Sequence, residues 1–408
     1  MSKANTAQTE SIMTNAEIRE LADSIKDQLP LVEVHILRPT AGELLNRDFH
    51  GRHKTIMFGG TRRARVSSQS IKHAICVKME AEDKDSTHTR ALPQIIKRRL
   101  KSDGASEYAM DIVDKIFDKN ELNKKSQSLG TLTSQINAIT IHDTDAFVQA
   151  VYDAEKQYPS DIKKAAAEAR KTLTGSADTR RLSPLTALLG RMATSPLMGD
   201  VESAVEMGHA YGVSRYAGDT DDYTACDDYL TQMGIITDDG EEESVKQSGS
   251  GFMDTSDISS TTYYEYVSIS ERILFENLCR GRRAEDKDEI LKLTKDYTSH
   301  FIKELIFTLP TAKQHTMATH AEPDVVYITT GVGVYPQTMD GAFEKAVSGD
   351  EERSVSDRAV ERLKGKITGR RDGAFAVNAY NGEWWISDRY DAPDGVEKLT
   401  VRNLDRIV

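Results

Sequence analysis

Cysteine is nearly missing from this chain: Cys76, Cys226 and Cys279 stand apart among 408 residues. They are too few and too scattered for a disulfide framework or a CxxC metal knuckle, and they read as reduced thiols of a cytosolic protein. No apolar run approaches the ~18 to 20 residues of a membrane span, and the first residues lack the apolar core of a signal peptide. A cytoplasmic location is therefore expected. No GxxxxGKS/T loop and no GxSxG elbow occurs, so nucleotide hydrolysis and serine-hydrolase chemistry lack their usual parts. His50, His53, His73, His88, His315 and His320 form neither HExxH nor a spacing with cysteine that closes a zinc site, so no metal and no other cofactor is expected. There is no fixed-period repeat and no sustained heptad. Net positive charge is also absent. A total of −12 argues against indiscriminate coating of nucleic acid, although a focused groove needs only local Lys and Arg.

What is present is concentrated. Leu44–Met79 holds Arg47, Arg52, Lys54, Arg62, Arg63, Arg65, Lys72 and Lys78 against the single acid Asp48, a local +7 that leaves −19 on the other 372 residues. Such a focus of cations in an acidic protein is an electrostatic footprint for an anion. Gly42, Gly51, Gly59 and Gly60 make the stretch largely loop. Arg63–Ser67 reads as a short strand, and Ser68–Glu80 as a helix capped by Ser67 or Ser68, with Gln69 and Lys72 on its first turns. A serine-capped helix start beside loop arginines is a phosphate cradle in principle. Asp48 is the one acid where a phosphodiester would pass. No further acids stand near it to hold a metal, so it is expected to anchor Arg47 or the loop.

Around this stretch, residues 1–13 read as disordered, and Thr14 with Glu17 as a capping box opening a helix with Ile18, Leu21, Ile25 and Leu29 on one face. Leu31–Leu37 reads as a strand ended by Arg38-Pro39. Ser86 to Thr172 is mostly helical. Within it, Lys163, Lys164, Arg170 and Lys171 form either a solvated face or a track for a second polyanion. Leu189–Gly199 is a glycine-bounded loop with Arg191 and Met192, followed by a helix capped by Asp200; a methionine there is either core or a platform for a base. Tyr216–Val245 has ten acids and no base, which suits solvent or a basic partner. Ser248–Ile269 reads as a projecting hairpin with Phe252 and Met253 near its tip. Two helices are expected in Ser270–Leu309, a loop with Lys313, Gln314 and His315 after Pro310, a strand at Asp324–Thr330, and a hairpin turning at Asn381-Gly382 within Ala374–Asp388.

The run NRDFHGRHKTIMFGGTRRARVSSQSIKHA, Asn46–Ala74, resembles the signature of the guide-RNA-binding backbone subunit of the type I-E CRISPR effector complex, Cascade. GRMATS at Gly190–Ser195, a helix through His209-Ala210, the acidic DTDDYTACDD segment, AKQHTMA at Ala312–Ala318 and AFEKAV at Ala342–Val347 extend it. The resemblance implies an α+β fold: an RRM-like, ferredoxin-like palm, a large helical insertion (fingers) and a projecting hairpin (thumb). The implied boundaries are an N-terminal extension at 1–30, a discontinuous palm at 31–85, 186–210 and 310–408, fingers at 86–185, a thumb at 211–269 and palm helices at 270–309.

It implies a non-catalytic subunit that binds a CRISPR RNA, with target DNA, about six copies of itself and the other Cascade subunits as partners. These are the large subunit, the small subunits, and the guide-processing and 5′-handle-binding subunits. By position in the resemblance, Arg47, Lys54, Ser67, Gln69, Lys72 and Met192 would contact the guide, and the reading of the basic stretch and of the second loop adds Arg62, Arg63, Arg65, Ser68 and Arg191 to the expected RNA-binding set. Phe252 and Met253 would be the thumb wedge that pushes out every sixth nucleotide, and Lys163, Lys164, Arg170 and Lys171 a track for DNA. The alternative is a metal-dependent endoribonuclease of the type III backbone kind, cutting with Asp48. The extra N-terminal segment, Thr61 after the double glycine and the Trp384-Trp385 segment depart from the pattern.

Overall fold

The computed structural model describes residues 12–117, 132–193, 195–225, 252–374 and 376–407, and the backbone of 235–236 and 242–243. The tip residues 248–251, residues 1–11, Cys226 and much of the acidic run lie outside them. The chain begins with α1 (Asn15–Ser24), opened by a capping box in which the Thr14 hydroxyl accepts from the Glu17 amide and the Glu17 carboxylate from the Thr14 amide. Strand β1 (Leu31–Glu43), the hairpin β2 (Thr55–Phe58) and β3 (Thr61–Val66), and helix α2 (Ser68–Glu82) follow. Next come β4 (Ser86–Thr89), α3 (Leu92–Ser102), α4 (Glu107–Ile116), β5 (Asn137–Thr140), α5 (Ile141–Gln157), α6 (Ile162–Ser176) and α7 (Pro184–Leu189). Strands β6 (Val205–Met207), β7 (Ala210–Gly212), β8 (Gly218–Ala225), β9 (Ile235–Ile236), β10 (Glu242–Glu243) and β11 (Phe252–Ser270) lead to α8 (Glu271–Cys279) and α9 (Lys287–Phe307). The chain ends with α10 (Gln314–Met317), β12 (Val325–Gly331), α11 (Val355–Asp372), β13 (Gly382–Ile386) and β14 (Glu397–Lys398).

One sheet organises these elements in the order β14-β13-β12-β1-β11-β7-β3-β2, with β6 and β8 also paired to β11. β1 is antiparallel to both β11 and β12, and β7 to β11. Val32, Val34 and Ile36 point into a core shared with α1, α2, α7, α8 and α9. The opposite face packs Tyr264, Tyr327 and Trp385 against Leu363 and Ile367 of α11. Because both faces are covered, the polar half of β1 is buried too. Glu33 accepts from the Tyr266 hydroxyl at 2.9 Å, the Gln337 amide at 2.7 Å and Arg370 at 3.0 Å, as a buried carboxylate must be matched. A separate helical core joins α3, α4, α5 and α6.

Several expectations are corrected. β1 runs past Arg38-Pro39 to Glu43. Pairing with β12 stops at Leu37, so the missing amide of Pro39 faces no partner strand, and Arg38 is buried on Glu265 at 2.9 Å. Asp200 caps no helix; its carboxylate accepts from the Ala193 amide at 2.7 Å and closes the loop, and the chain continues into β6. His209-Ala210 lies at the start of β7, not in a helix. Asn381-Gly382 is not a hairpin turn but the start of β13, fixed when Asn381 donates its amide to Thr330 and accepts from Val332. The boundaries shift with burial. Met13, Ile18, Ala22, Ile25 and Leu29 belong to the main core, so 12–30 is no separate extension. Leu197 and Met198 belong to the helical core, and β7 and the second half of β11 lie within the sheet, leaving an arm of β8 and the start of β11.

Candidate nucleic-acid interface

The basic stretch folds as a loop, a hairpin and a helix start along one edge of the sheet. Asp48 shapes the loop, since one carboxylate oxygen accepts from the His50 amide at 2.8 Å and the Arg52 amide at 3.0 Å. Arg47, on the same loop, is exposed. The loop is fastened below by His53, whose Nε2 lies 2.7 Å from Glu43 Oε1. The Arg65 amide donates to the Lys54 carbonyl, and Arg65 is in register with Tyr211, which puts Lys54, Arg65 and the nearby His209 on one side of the sheet. The Ser68 amide donates to His209 Nδ1 at 3.0 Å, tying the start of α2 to this group. Burial and the charges of Arg65 and Lys54 hold the His209 pKa below its ordinary value, so the ring is neutral at pH 7. One turn along α2, Lys72 donates to the Val205 carbonyl at 2.9 Å and the Ser203 hydroxyl at 3.3 Å. Past the Arg191–Val201 bridge, Met192 projects with 81% of its surface exposed.

Not every expected cation belongs to this ridge. Arg63 is fully buried and donates to the carbonyls of Val213, Phe343 and Glu344. Arg191 is buried on Asp143 at 2.6 Å and on the carbonyls of Gly199 and Ala138. Neither can reach a phosphate without leaving these partners, so both are corrected from binding to structural residues. Arg62 is exposed and donates to the Thr55 hydroxyl at 2.9 Å, on the strand face opposite Arg65. The Ser67 hydroxyl is used by the Ser70 amide, and the Ser67 and Ser68 amides by Asn46 and His209. The free helix start expected for α2 is therefore largely occupied from within, while Gln69 is exposed beside it. Burial lowers the Lys72 pKa, against an opposing pull from Glu206.

Elsewhere, Phe252 and Met253 begin β11 opposite Ala225 and Thr224, 54% and 71% exposed. On α6, Lys163 is exposed. Lys164 pairs with Asp161 at 3.3 Å and Lys171 with Glu168 at 3.7 Å. Arg170 turns inward to the Ile116 carbonyl, bracing α4 rather than facing a solvent track. Two clusters of metal-ligating side chains occur among the described residues, Cys76/Glu80/His88 and Glu82/His300/Glu304. Each contains a histidine–glutamate pair, His88–Glu80 at 2.6 Å and His300–Glu82 at 3.2 Å. His209 is a neighbour of Lys54 and Arg65 that the sequence reading quoted but did not place beside them. It follows Gly208 between two three-residue strands, with no local pattern to announce it.

A family model described as CT1975-like protein matches residues 32–408. The chain belongs to the CT1975-like family. Its fold is shared with a chain of a solved "CRISPR RNA-guided surveillance complex, pre-nicking", at a TM-score of 0.73 and 23% identity over 92% of this chain and 98% of that one. A chain of a "CRISPR RNA-guided surveillance complex" matches at a TM-score of 0.66 and 18% identity, over 93% of this chain and 100% of that one. No curated protein matches. In this CT1975-like chain, α1 precedes the family match and is joined to the rest by the Met13 amide on the Arg282 carbonyl and an Asp23–Arg272 pair at 2.7 Å. No helix among the described residues is long and apolar enough to cross a membrane.

Proposed function

We propose that this chain is a non-catalytic backbone subunit of a type I-E CRISPR RNA-guided complex. It grips the phosphates of a single-stranded guide and repeats along it as a filament of about six copies, so that the guide bases remain free to pair with target DNA. The observation that carries this reading is the alignment of Lys54, Arg65, the His209-anchored start of α2, Lys72 and exposed Met192 along one edge of the sheet. Such a row of cations, donors and an apolar platform suits a backbone followed without sequence readout. The strand order β12-β1-β11-β7, with helices between β1 and β7 and between β11 and β12, supports reading this part of the sheet as a ferredoxin-like, RRM-type palm. The matched surveillance-complex chains lend the assembly context. Lys163, Lys164 and Lys171 remain the proposed outer contacts for DNA, and the basic faces of other subunits suit the acidic arm.

Asp48 spends one carboxylate oxygen on two loop amides, which favours the binding reading over cleavage at this residue. Fluorescence anisotropy of the full chain with single-stranded RNA across a salt series tests the proposal. Lys54→Ala and Arg65→Ala should each weaken binding and flatten the slope of log K against log salt by about 0.7 per lost phosphate. Unchanged slopes would remove both residues from the interface. Regular cleavage of complementary RNA with Mg²⁺, abolished by Asp48→Ala, would replace the proposal with the nuclease.

A further inference from the structure

Beside the cationic ridge, on the same side of the sheet, lies an open cleft of about 270 Å³ between the β2–β3 hairpin and the sheet. Tyr211, Tyr264 and Tyr266 form its floor, and Ile56 and His209 stand at its margin. The floor is rigid. The hydroxyl of Tyr211 donates to Asp340 at 2.9 Å, that of Tyr266 to Glu33 at 2.9 Å, and that of Tyr264 accepts from the Met339 amide at 2.8 Å. The rings therefore present carbon to the cleft and cannot turn away. Ile56, in register with Arg63 and so on the Arg65 side of the hairpin, keeps 36% of its surface exposed, an apolar margin with water against it. His209 uses Nδ1 to accept from Ser68, which fixes the tautomer of the neutral ring and leaves Nε2 as a donor.

An apolar plug alone would leave that donor and the neighbouring Lys54 and Arg65 charges without a role. A nucleotide matches the whole set: a flat π-face for the aromatic and apolar walls, a polar edge for His209, and an attached phosphate for the cations. We propose that this cleft is a nucleobase site, taking one base of the bound single strand while Lys54 and Arg65 hold the phosphate next to it. The proposal rests on the RNA-binding reading above and deepens it by adding a base-sized seat to a backbone-following interface.

Gly208 offers a way to fill the cleft. A Cβ there would meet only the Tyr266 carbonyl, at an ordinary 3.7 Å. The test compares the full-length wild type with Gly208→Leu, and with Ile56→Ser as a surface variant on the cleft side of the hairpin, using a 12-nucleotide single-stranded RNA carrying 5-iodouridine. Photo-crosslinks in the wild type should map to Ile56, His209 or Tyr211. Either variant should lose them and bind about fivefold or more weakly with an unchanged salt slope, since stacking is lost and phosphate contacts remain. Tight binding by the wild type, undiminished in both variants and without crosslinks in the cleft, overturns the base site and leaves the RNA reading standing. Loss of self-association with unchanged RNA affinity assigns the cleft to a second copy and likewise overturns it. A wild type that binds no RNA overturns the function and the site together.

Discussion

His53 Nε2 and Glu43 Oε1 meet at 2.7 Å with both side chains fully inaccessible to water. The Tyr263 hydroxyl donates to the same carboxylate oxygen. This contact fastens the cationic loop to the sheet, so the position of Arg47 and Lys54 depends on a buried ionisable pair. Burial opposes charge on His53, but Glu43 outweighs it, and the pKa is raised above the ordinary value. A group with a raised folded pKa contributes its full stabilisation below its unfolded pKa, about 6.5 for histidine, and loses it as the pH climbs through the folded value. His53→Gln should therefore destabilise by about 3 kcal/mol at pH 5.5, since it leaves a buried carboxylate short of its cation. The gap should narrow towards pH 9. Thermal melts of both proteins across that range check this; a gap that stays constant would mean that His53 is neutral throughout.

A second buried cluster joins the α5 start to the loop that carries Met192. Asp143 accepts Arg180 at 3.1 Å on one oxygen and Arg191 at 2.6 Å on the other, and it also closes the Thr140 capping box. Asp143→Ala strands two buried guanidiniums and a cap at once, and should cost at least about 3 to 5 kcal/mol, read as a lowered urea midpoint. Arg191→Ala should also destabilise. Because Arg191 faces inward, the salt dependence of RNA binding should keep its wild-type slope in whatever fraction remains folded.

These two clusters mark where sequence reading stops. Thr14, Ser67, the apolar stripe of α1 and the strand character of Leu31–Leu37 were legible because each is decided by neighbours within a turn or a strand. The destinations of Arg63 and Arg191 were not. A run such as RRAR shows charge, but whether an arginine meets solvent or carbonyls depends on segments such as Val213 and Glu344, 150 and 281 positions away from Arg63. The place of His209 beside the cations was unread for the same reason: its partner Ser68 lies 141 positions off. Asp48, which bonds within its own loop, was read correctly as an anchor.

The double glycine of the β2–β3 turn separates two kinds of constraint. Gly59 has φ +55° and a Cβ there would sit 1.7 Å from the Glu344 carbonyl oxygen, whereas Gly60 has φ +71° and open space around it. Gly60→Ala carries only the left-handed penalty of about 1 to 2 kcal/mol. Gly59→Ala adds a backbone clash and must push the turn away from residue 344. Urea midpoints at equal m-values should place Gly59→Ala well below Gly60→Ala; equal midpoints would mean that the turn moves freely off Glu344.

The arm offers the sharpest separation of stability from function. Phe252 and Met253 sit at the start of β11, largely in water, with Phe252 6.3 Å from the Tyr223 ring. Phe252→Ser/Met253→Ser removes little buried surface, so the melting free energy should stay within about 0.5 kcal/mol per site. If the arm crosses the guide, wild-type protein on a long RNA should leave one reactive nucleotide in every six in a hydroxyl-radical footprint. The double variant should protect the same length, held by Lys54 and Arg65, but without that period. A period that survives the double variant would place the wedge on other residues of the chain, and the arm would then be an element of subunit contact rather than of guide shaping.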